Sequence, residues 1–298
     1  MLNETRVIAA RIFGTRILRH GVGGRVELLL LHPADSMRYS PTATHWIALA
    51  RPARRLRAGA KIAFEGFGTA TIVRELEEGV REVAFDLDRP FDAFLAAVGR
   101  LPLPPYIHNE SDEAQERYQT VFARQLGSVA APTASLHFTP EVFLALERAG
   151  IETARLTLDV GLGTFRPMQS ERLDEHRMHA ERFAIGPEAA EAIGRARREG
   201  RRIVAAGTTV VRALEGSAQA HGRVVAGEQQ TEIFITPGFA FAVVDAMITN
   251  FHLPQSTLLV LVSAFAGRER ILDAYRTAVE ERYRFFSFGD AMLLTRDS

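Results

Sequence analysis

The sequence contains no cysteine, which excludes disulfides, thiolate zinc sites, iron–sulfur clusters and a cysteine nucleophile. A cysteine-free chain fits the cytosol, the expected location. Lysine is nearly absent too: Lys61 is the only one, and arginine carries the rest of the positive charge. The planar fork of arginine suits phosphates and carboxylates, although a GC-rich genome gives the same bias. Neither sign of charge is in excess, since Lys+Arg and Asp+Glu both number 36. Nucleic-acid binding would therefore have to rest on local basic patches and not on a global field. Long hydrophobic runs are missing as well. The longest, TLLVLVSAFAG (257–267), is too short to cross a bilayer and reads as a buried element. The start, MLNETRVIAARIFG, lacks the apolar stretch of a secretory signal. There is no internal repeat and no low-complexity segment.

What is present has the composition of an ordinary globular protein, 47% hydrophobic and 24% charged over 298 residues, enough for one large domain or two. Residues 7–88 read as short strands broken by Gly and Pro, with VELLLLH (26–32), HWIALA (45–50), KIAFEGFGTATIV (61–73) and REVAFDL (81–87). That spacing predicts a small β-barrel or sandwich. From about residue 92 the texture changes. FDAFLAAVG (91–99) reads as helix and LPLPPYI (101–107) as a rigid proline linker. Helix and strand patterns then alternate, as in an α/β domain. PEVFLALERAG (140–150) and PEAAEAIGRARREG (187–200) both place Pro in the first turn and Gly at the end of a helix. IETARLTLDVG (151–161), RRIVAAG (201–207) and TEIFIT (231–236) read as strands, and ILDAYRTAVEERYRFF (271–286) as a long amphipathic helix.

Several stretches concentrate chemistry-bearing residues. DEHRMHAE (174–181) gathers two histidines and three acids. In a helix His176 and His179 would share a face and could hold a metal. The stretch is not HExxH, however, and no third ligand sits at a diagnostic spacing. Continued into MHAERFAIGP, the pattern alternates with period two and places His179, Glu181, Phe183 and Ile185 on one strand face. His179 and Glu181 then read as a proton-handling pair at a strand end, or as a histidine routinely satisfied by a carboxylate. GTTVVRALE (207–215) follows a strand and opens a helix. Its free N–H groups and the Thr208 and Thr209 hydroxyls suit a phosphate or carboxylate, and equally one threonine caps the helix. In GLGTF (161–165) the glycines allow a ligand close to the backbone, or make a turn. Without GxGxxG and a following helix, a dinucleotide site is excluded. TNFHLPQST (249–257) collects polar groups between two apolar runs, as binding crevices do, while Ser256 or Thr257 also suits a helix cap. The basic runs RPARRLRAGAK (51–61) and RARREGRR (195–202) would serve RNA phosphates without specificity, and the second also lies where a helix dipole favours cations.

No single stretch decides the matter; their order does. LPLPPYI, YQTVFA (118–123), GSVAAPTASLHFT (127–139), DVGLGTFRP (159–167), DEHRMHAE, GTTVVRALE, FITPGFAF (234–241), NFHLPQSTLLVLVSAFAG (250–267) and RYRFFSFGDAM (282–292) succeed one another. The series resembles the S-adenosylmethionine:tRNA ribosyltransferase-isomerases of the queuosine pathway, from NETRVIAARIFG (3–14) almost to the C-terminus. The resemblance implies an α/β fold: a distorted α/β catalytic domain (1–9 and 92–298) with a small β-barrel domain (10–91) inserted near the N-terminus. It implies transfer of the ribosyl part of S-adenosylmethionine to 7-aminomethyl-7-deazaguanine at the wobble position of a tRNA. Rearrangement then gives epoxyqueuosine, with loss of adenine and methionine. S-adenosylmethionine is expected as co-substrate, with no metal and no membrane, for a cytoplasmic monomer. On this resemblance His176, His179 and Glu181 are expected to handle protons. Thr208, Thr209 and Arg212 are expected to hold a carboxylate or phosphate, and Asn250, His252 and Asp290 to contact the nucleoside. Gly161 and Gly163 would line the substrate site.

The chain departs from the family pattern. It begins inside a block that normally reads like FNDTRVIPARLFG and that members precede with several dozen residues, so a misassigned start or a truncation is expected. Asp159 stands where His is usual, Ser135 where Gly is usual and Phe288 where Tyr is usual. Two other readings follow: a catalytically inactive tRNA-binding paralogue, from the short start and Asp159, and a metal-dependent hydrolase built on His176 and His179.

Overall fold

A strand that alternates apolar and polar residues has one face to hide, and a sheet closed on itself hides that face without leaving an edge. The N-terminal part of the chain takes this solution. The computed structural model describes residues 1–36, 38–104, 106–107, 111–160, 172–176, 178 and 180–296. The chain divides into one compact unit of Val7–Glu110 with Leu126–Ala130 and another of Met1–Arg6, Ser111–Gln125 and Ala131–Ser298. After β1 (Leu2–Asn3) and β2 (Thr5–Val7) come β3 (Arg11–Leu18), β4 (Gly21–Pro33), β5 (His45–Arg51), β6 (Lys61–Phe64), β7 (Gly68–Glu75) and β8 (Val80–Leu87). The last six close a barrel in the order β3-β4-β5-β8-β7-β6. The stretch 61–73 forms two of these strands, folded back on each other between Phe64 and Gly68.

Closure depends on β3, which pairs with both neighbours at Thr15: Arg25 of β4 on one side and Ala63 of β6 on the other. Gly14 sits at this seam. A Cβ there would lie 2.5 Å from Ile62 Cγ2 and 2.9 Å from the carbonyl oxygen of Ala63, so only glycine lets the strands approach. Inside, Ile12, Leu28, Leu30, Trp46, Ile62, Ile72 and Val83 are fully buried. Helix α1 (Phe91–Val98) closes the core by inserting its apolar face. Phe91 stacks on Trp46 with centroids 5.0 Å apart, and Phe94 meets Phe64 edge-on at 5.0 Å. Arg81 enters the interior without a stranded charge. Its Nε donates to Leu56 O at 2.7 Å and its Nη2 to Ala53 O at 3.0 Å, which fixes the turn between β5 and β6.

The other unit contains α2 (Asp112–Arg117), α3 (Pro140–Arg148), β10 (Arg155–Leu158), β11 (Glu181–Ile185), α4 (Pro187–Arg198), β12 (Val204–Ala206), α5 (Thr208–His221), β13 (Gly227–Thr231), β14 (Ala246–Asn250), α6 (Thr257–Ala266), α7 (Arg268–Glu280) and β15 (Ala291–Thr295). Strand β9 (Gln125–Ser128) pairs with β2. One sheet runs β1-β10-β11-β13 and another β12-β14-β15, with β1∥β10 and β12∥β14 and the other pairs antiparallel. The whole is a mixed α/β architecture with a closed barrel. No helix among the described residues is long and apolar enough to cross a membrane.

Two expected elements differ. TEIFIT was expected to be a strand, but β13 ends at Thr231, where that stretch begins. The actual strand, GEQQT, is polar because among the described residues it pairs with β11 alone, at the sheet edge, and the Ile233 carbonyl accepts Arg212 Nε at 3.2 Å instead of continuing a ladder. The helix expected over 271–286 spans Arg268–Glu280. Arg282 at φ 58° turns the chain, and Tyr283 and Phe285 then pack on Phe251 at 5.9 and 4.9 Å. Elsewhere caps follow the sequence: the Thr139 and Ser256 hydroxyls accept from Val142 N and Leu259 N.

Phe94 is fully buried among four aromatic rings. Replacing it with alanine is expected to destabilise the barrel by about 3–5 kcal/mol, read as a shift of the urea midpoint at unchanged slope. A loss below about 1 kcal/mol would mean that α1 is not what closes the core.

Candidate active site

Strands β12 and β14 are parallel neighbours, with Ala206 beside Ile248, so both end on one edge of their sheet. Open α/β sheets bind their ligands outside such carboxyl ends. After β12 the chain turns at Gly207, whose φ of 99° lies in the region that glycine alone adopts freely. The Gly207 N–H donates to Ile248 O at 2.8 Å, and α5 starts at once. Thr208 and Thr209 occupy the first two helical positions and not the cap, and no side chain caps the helix. The leading N–H groups of α5 therefore point outward without a partner among the described residues, at the positive end of the helix dipole. The short turn Thr133–His137 packs beside this start: a Cβ on Gly207 would lie 3.6 Å from that of Ala134.

At the end of β14, Asn250 is 2% exposed. Its Nδ2 donates to Phe286 O at 3.2 Å and lies 3.1 Å from His137 Nε2. An amide nitrogen only donates, so this network assigns Nε2 as acceptor and puts the His137 proton on Nδ1. Burial lowers the His137 pKa, the Asp290 carboxylate opposing and Arg284 adding to the effect, so the ring is neutral near pH 7. Asp290 accepts the Arg284 backbone N–H at 2.7 Å and its guanidinium at 3.1 Å, which hold its carboxyl below the usual range. Asn250 Oδ1 and Ser135 Oγ are buried without a hydrogen-bonding partner among the described residues. Each such atom costs about 1–3 kcal/mol, which a ligand donor or a water would recover.

His252 is tied to its own strand, its Nε2 2.9 Å from Thr249 Oγ1. Its backbone N–H donates to the Tyr275 hydroxyl at 2.7 Å. Burial pushes the His252 imidazole down to about 4 and the Tyr275 phenol up to about 12. Glu181, the first residue of β11, pairs directly with Arg212 of α5, and both are 5% exposed. Arg212 Nη2 has no partner among the described residues.

The structure thus brings Asn250 and Asp290 together around His137, sets Thr208 and Thr209 beside the same turn, and joins Glu181 to Arg212. Among the described residues His252 hydrogen-bonds to Thr249 and Tyr275 and to none of the expected site residues. The His176 ring packs edge-on against Phe234 at 5.3 Å. His179, Gly161 and Gly163 lie outside the described residues. Asp159 Oδ1 accepts from Thr5 Oγ1 at 3.3 Å. Phe288 meets Tyr118 edge-on at 6.1 Å. Among the described residues no three His, Asp or Glu gather as for a metal. Sequence reasoning missed His137 and Glu215. The signal for His137 was its place as the lone histidine in PTASLHFT. Glu215 offered no signal, since an acid in a helix reads as solvent-facing. Here it is 1% exposed and accepts the N–H groups of Ala242, Val243 and Val244 at 2.8, 3.0 and 2.8 Å.

A family model described as queuosine biosynthesis protein matches residues 1–294. An S-adenosylmethionine:tRNA ribosyltransferase-isomerase of Heliobacterium modesticaldum is 50% identical over 297 residues, covering 99% of this chain and 83% of the relative. The protein of that name from Moorella thermoacetica is 51% identical over 296 residues with the same coverage. The crystal structure of S-adenosylmethionine tRNA ribosyltransferase from Thermotoga maritima aligns with 98% of this chain and 80% of its own at 32% identity, with a TM-score of 0.46.

The depressed His252 pKa fixes a pH dependence. In the unfolded chain the ring takes up a proton near pH 6.5; in the folded chain it does so only near 4. Between these values the unfolded state binds more protons, so stability falls as pH drops, by about 2 kcal/mol. Replacing His252 with Asn is expected to remove that part of the slope. Urea unfolding of both proteins at pH 7 and 4.5 checks it, and equal losses in the two would assign the slope to other groups.

Proposed function

The chain belongs to the queuosine biosynthesis protein family, and on that premise we infer that it works as an S-adenosylmethionine:tRNA ribosyltransferase-isomerase. It transfers and isomerises the ribosyl moiety of S-adenosylmethionine onto 7-aminomethyl-7-deazaguanine in the tRNA wobble position. The products are epoxyqueuosine-tRNA, adenine and methionine. The observation that carries this is about half identity along 99% of the chain to enzymes of that name. It does not favour the binding-only alternative.

The chemistry sets four demands. The sulfonium acidifies the neighbouring ribose C–H, so a base must take that proton. The attacking amine must be neutral. Adenine leaves more readily with a proton or hydrogen bond supplied to it. The methionine carboxylate needs a cation or a helix N-terminus. We assign the carboxylate to the uncapped start of α5 at Thr208 and Thr209, with Arg212 behind the first turn adding positive charge through its unpartnered Nη2. The nucleoside goes to the edge formed by Asn250, His137 and Asp290. The bare Asn250 Oδ1 there accepts from an exocyclic amine or a ribose hydroxyl, and His252 keeps the end of β14 in shape. His176 and His179 remain the proton carriers of this assignment, and Gly161 and Gly163 line the same substrate. Glu181, held by Arg212, acts as a positioning residue. The working form is taken to be a cytoplasmic monomer, which light scattering of the purified chain reads directly.

Incubated with S-adenosylmethionine and tRNA carrying the aminomethyl-deazaguanine, the chain is expected to release adenine and methionine in step with epoxyqueuosine. Failure to form all three would remove the assignment. Changing Asn250 to Ala is expected to lower kcat/KM about 100-fold with the fold intact. Full turnover with alanine at His179 would take that residue out of the catalytic set.

A further inference from the structure

Two stretches of the barrel contain no acidic residue: RIFGTRILRHGVGGR (11–25) and RPARRLRAGAK (51–61). Between them they hold nine of the fourteen Arg and Lys in the barrel unit. The topology sets them side by side, since β3 pairs with β6, Arg16 opposite Ile62 and Ile17 opposite Lys61. Past Thr15 the β3–β4 ladder runs on to Leu18 opposite Gly21. Residues 17–22 of this ribbon are exposed, so it stands clear of the core. The 57–60 turn faces it and is fixed in place. Gly59 N donates to Ile72 O at 2.8 Å, Ile72 N to Ala60 O at 2.9 Å, and the buried Arg81 holds the carbonyls of Ala53 and Leu56 just before it. Ribbon and turn enclose an open groove of about 500 Å³, lined by residues 16–19 and 57–61.

Among the described residues the cations of this groove have no carboxylate partner. Elsewhere in the barrel Arg11 is bound to Glu27 at 3.2 Å, Arg74 to Glu82 at 2.8 Å, and Arg25 lies over the Phe13 ring at 4.0 Å. Arg16, Arg19, Arg57 and Lys61 meet no carboxylate among the described residues, and Arg16 Nε is buried without a partner. The nearby Glu75 carboxylate is taken up by Ala58 N at 3.4 Å and Arg81 at 3.5 Å. Like charges gathered without an anion repel each other, and the arrangement becomes favourable only when an anion fills it. The groove is open and its charges are spread along two backbone segments. That suits a string of phosphates better than one small ion, which needs a closed cradle of donors. Exposed Ile17, Leu18 and Val22, the last 81% exposed, add apolar surface beside the cations.

We propose that the groove between the β3–β4 ribbon and the 57–61 turn is an RNA-docking surface that carries backbone phosphates of the tRNA. The identity of that RNA rests on the function inferred above. Phosphate binding of this kind positions a nucleic acid without reading its sequence.

The test replaces Arg16, Arg19, Arg57 and Lys61 together with Gln and follows tRNA affinity against salt. Every phosphate that the protein ceases to neutralise takes close to one unit off the slope of log K against log salt. The variant is expected to drop by about 3 units of slope and to bind tRNA roughly 100-fold more weakly at 0.1 M salt, with S-adenosylmethionine binding by calorimetry unchanged. If it misfolds, Arg19 and Arg57, both exposed, are changed to Glu as a pair, with the same direction expected. A variant slope equal to wild type overturns the proposal, as does a wild-type chain that binds tRNA without salt dependence. Loss of binding only to phosphatidylglycerol vesicles, with tRNA binding intact, also overturns it and marks a membrane surface instead. A wild-type chain that binds tRNA steeply with salt but forms no epoxyqueuosine removes the inferred reaction and leaves the groove standing.

Discussion

Helix α5 carries a cation and an anion into an interior that would accept neither alone. Desolvating each ion costs several kcal/mol, and stranding one by removing its partner typically costs about 3–5 kcal/mol. Arg212 finds Glu181 on β11, in one sheet, and Glu215 finds three backbone N–H groups just ahead of β14, in the other. The residues between and before them, Val210, Val211, Ala213 and Leu214, are wholly buried. The helix is thereby pinned to both sheets of its unit at once. It can neither rotate nor slide without exposing a charge to hydrocarbon, so its first turn has one position.

That fixed first turn makes the candidate site rigid. Among the described residues the leading N–H groups of α5, the Asn250 oxygen and the Ser135 hydroxyl have no hydrogen-bond partner, while the ion pair and the Glu215 contacts of α5 hold the helix around them in place. Donors and acceptors kept in place before the substrate arrives need no rearrangement during reaction. The neutral state of His137 has the same origin: burial depresses it while Asn250 fixes which nitrogen carries the proton. Asp290, fastened to Arg284, keeps its negative charge a short way off.

The barrel was largely legible because period-two alternation records a single buried face, as HWIALA and REVAFDL show in β5 and β8. Legibility failed where the physics is not local. GEQQT forms β13 although nothing in it resembles a strand, since an edge strand with one neighbour needs no apolar face. The 271–286 run keeps helical periodicity past Glu280, yet packing of Tyr283 and Phe285 on Phe251 turns the chain away. In the site, Thr208 and Asn250 were visible as polar residues at the ends of apolar strands. The pairing of Glu181 with Arg212, 31 residues away, leaves no trace in either local pattern. The family resemblance found the right chemistry but not these partners.

The single lysine has a consequence of its own. An amine-reactive label, a lysine acetyl group or a cross-linker meets only one side-chain address in this chain, and that address lies in the groove beside the β3–β4 ribbon. The guanidinium groups around it are inert to the same reagents. Modification there would remove one charge from a cluster that meets no carboxylate among the described residues, while every arginine stayed untouched. The protein thus carries a built-in reporter whose reactivity registers whether that surface is covered.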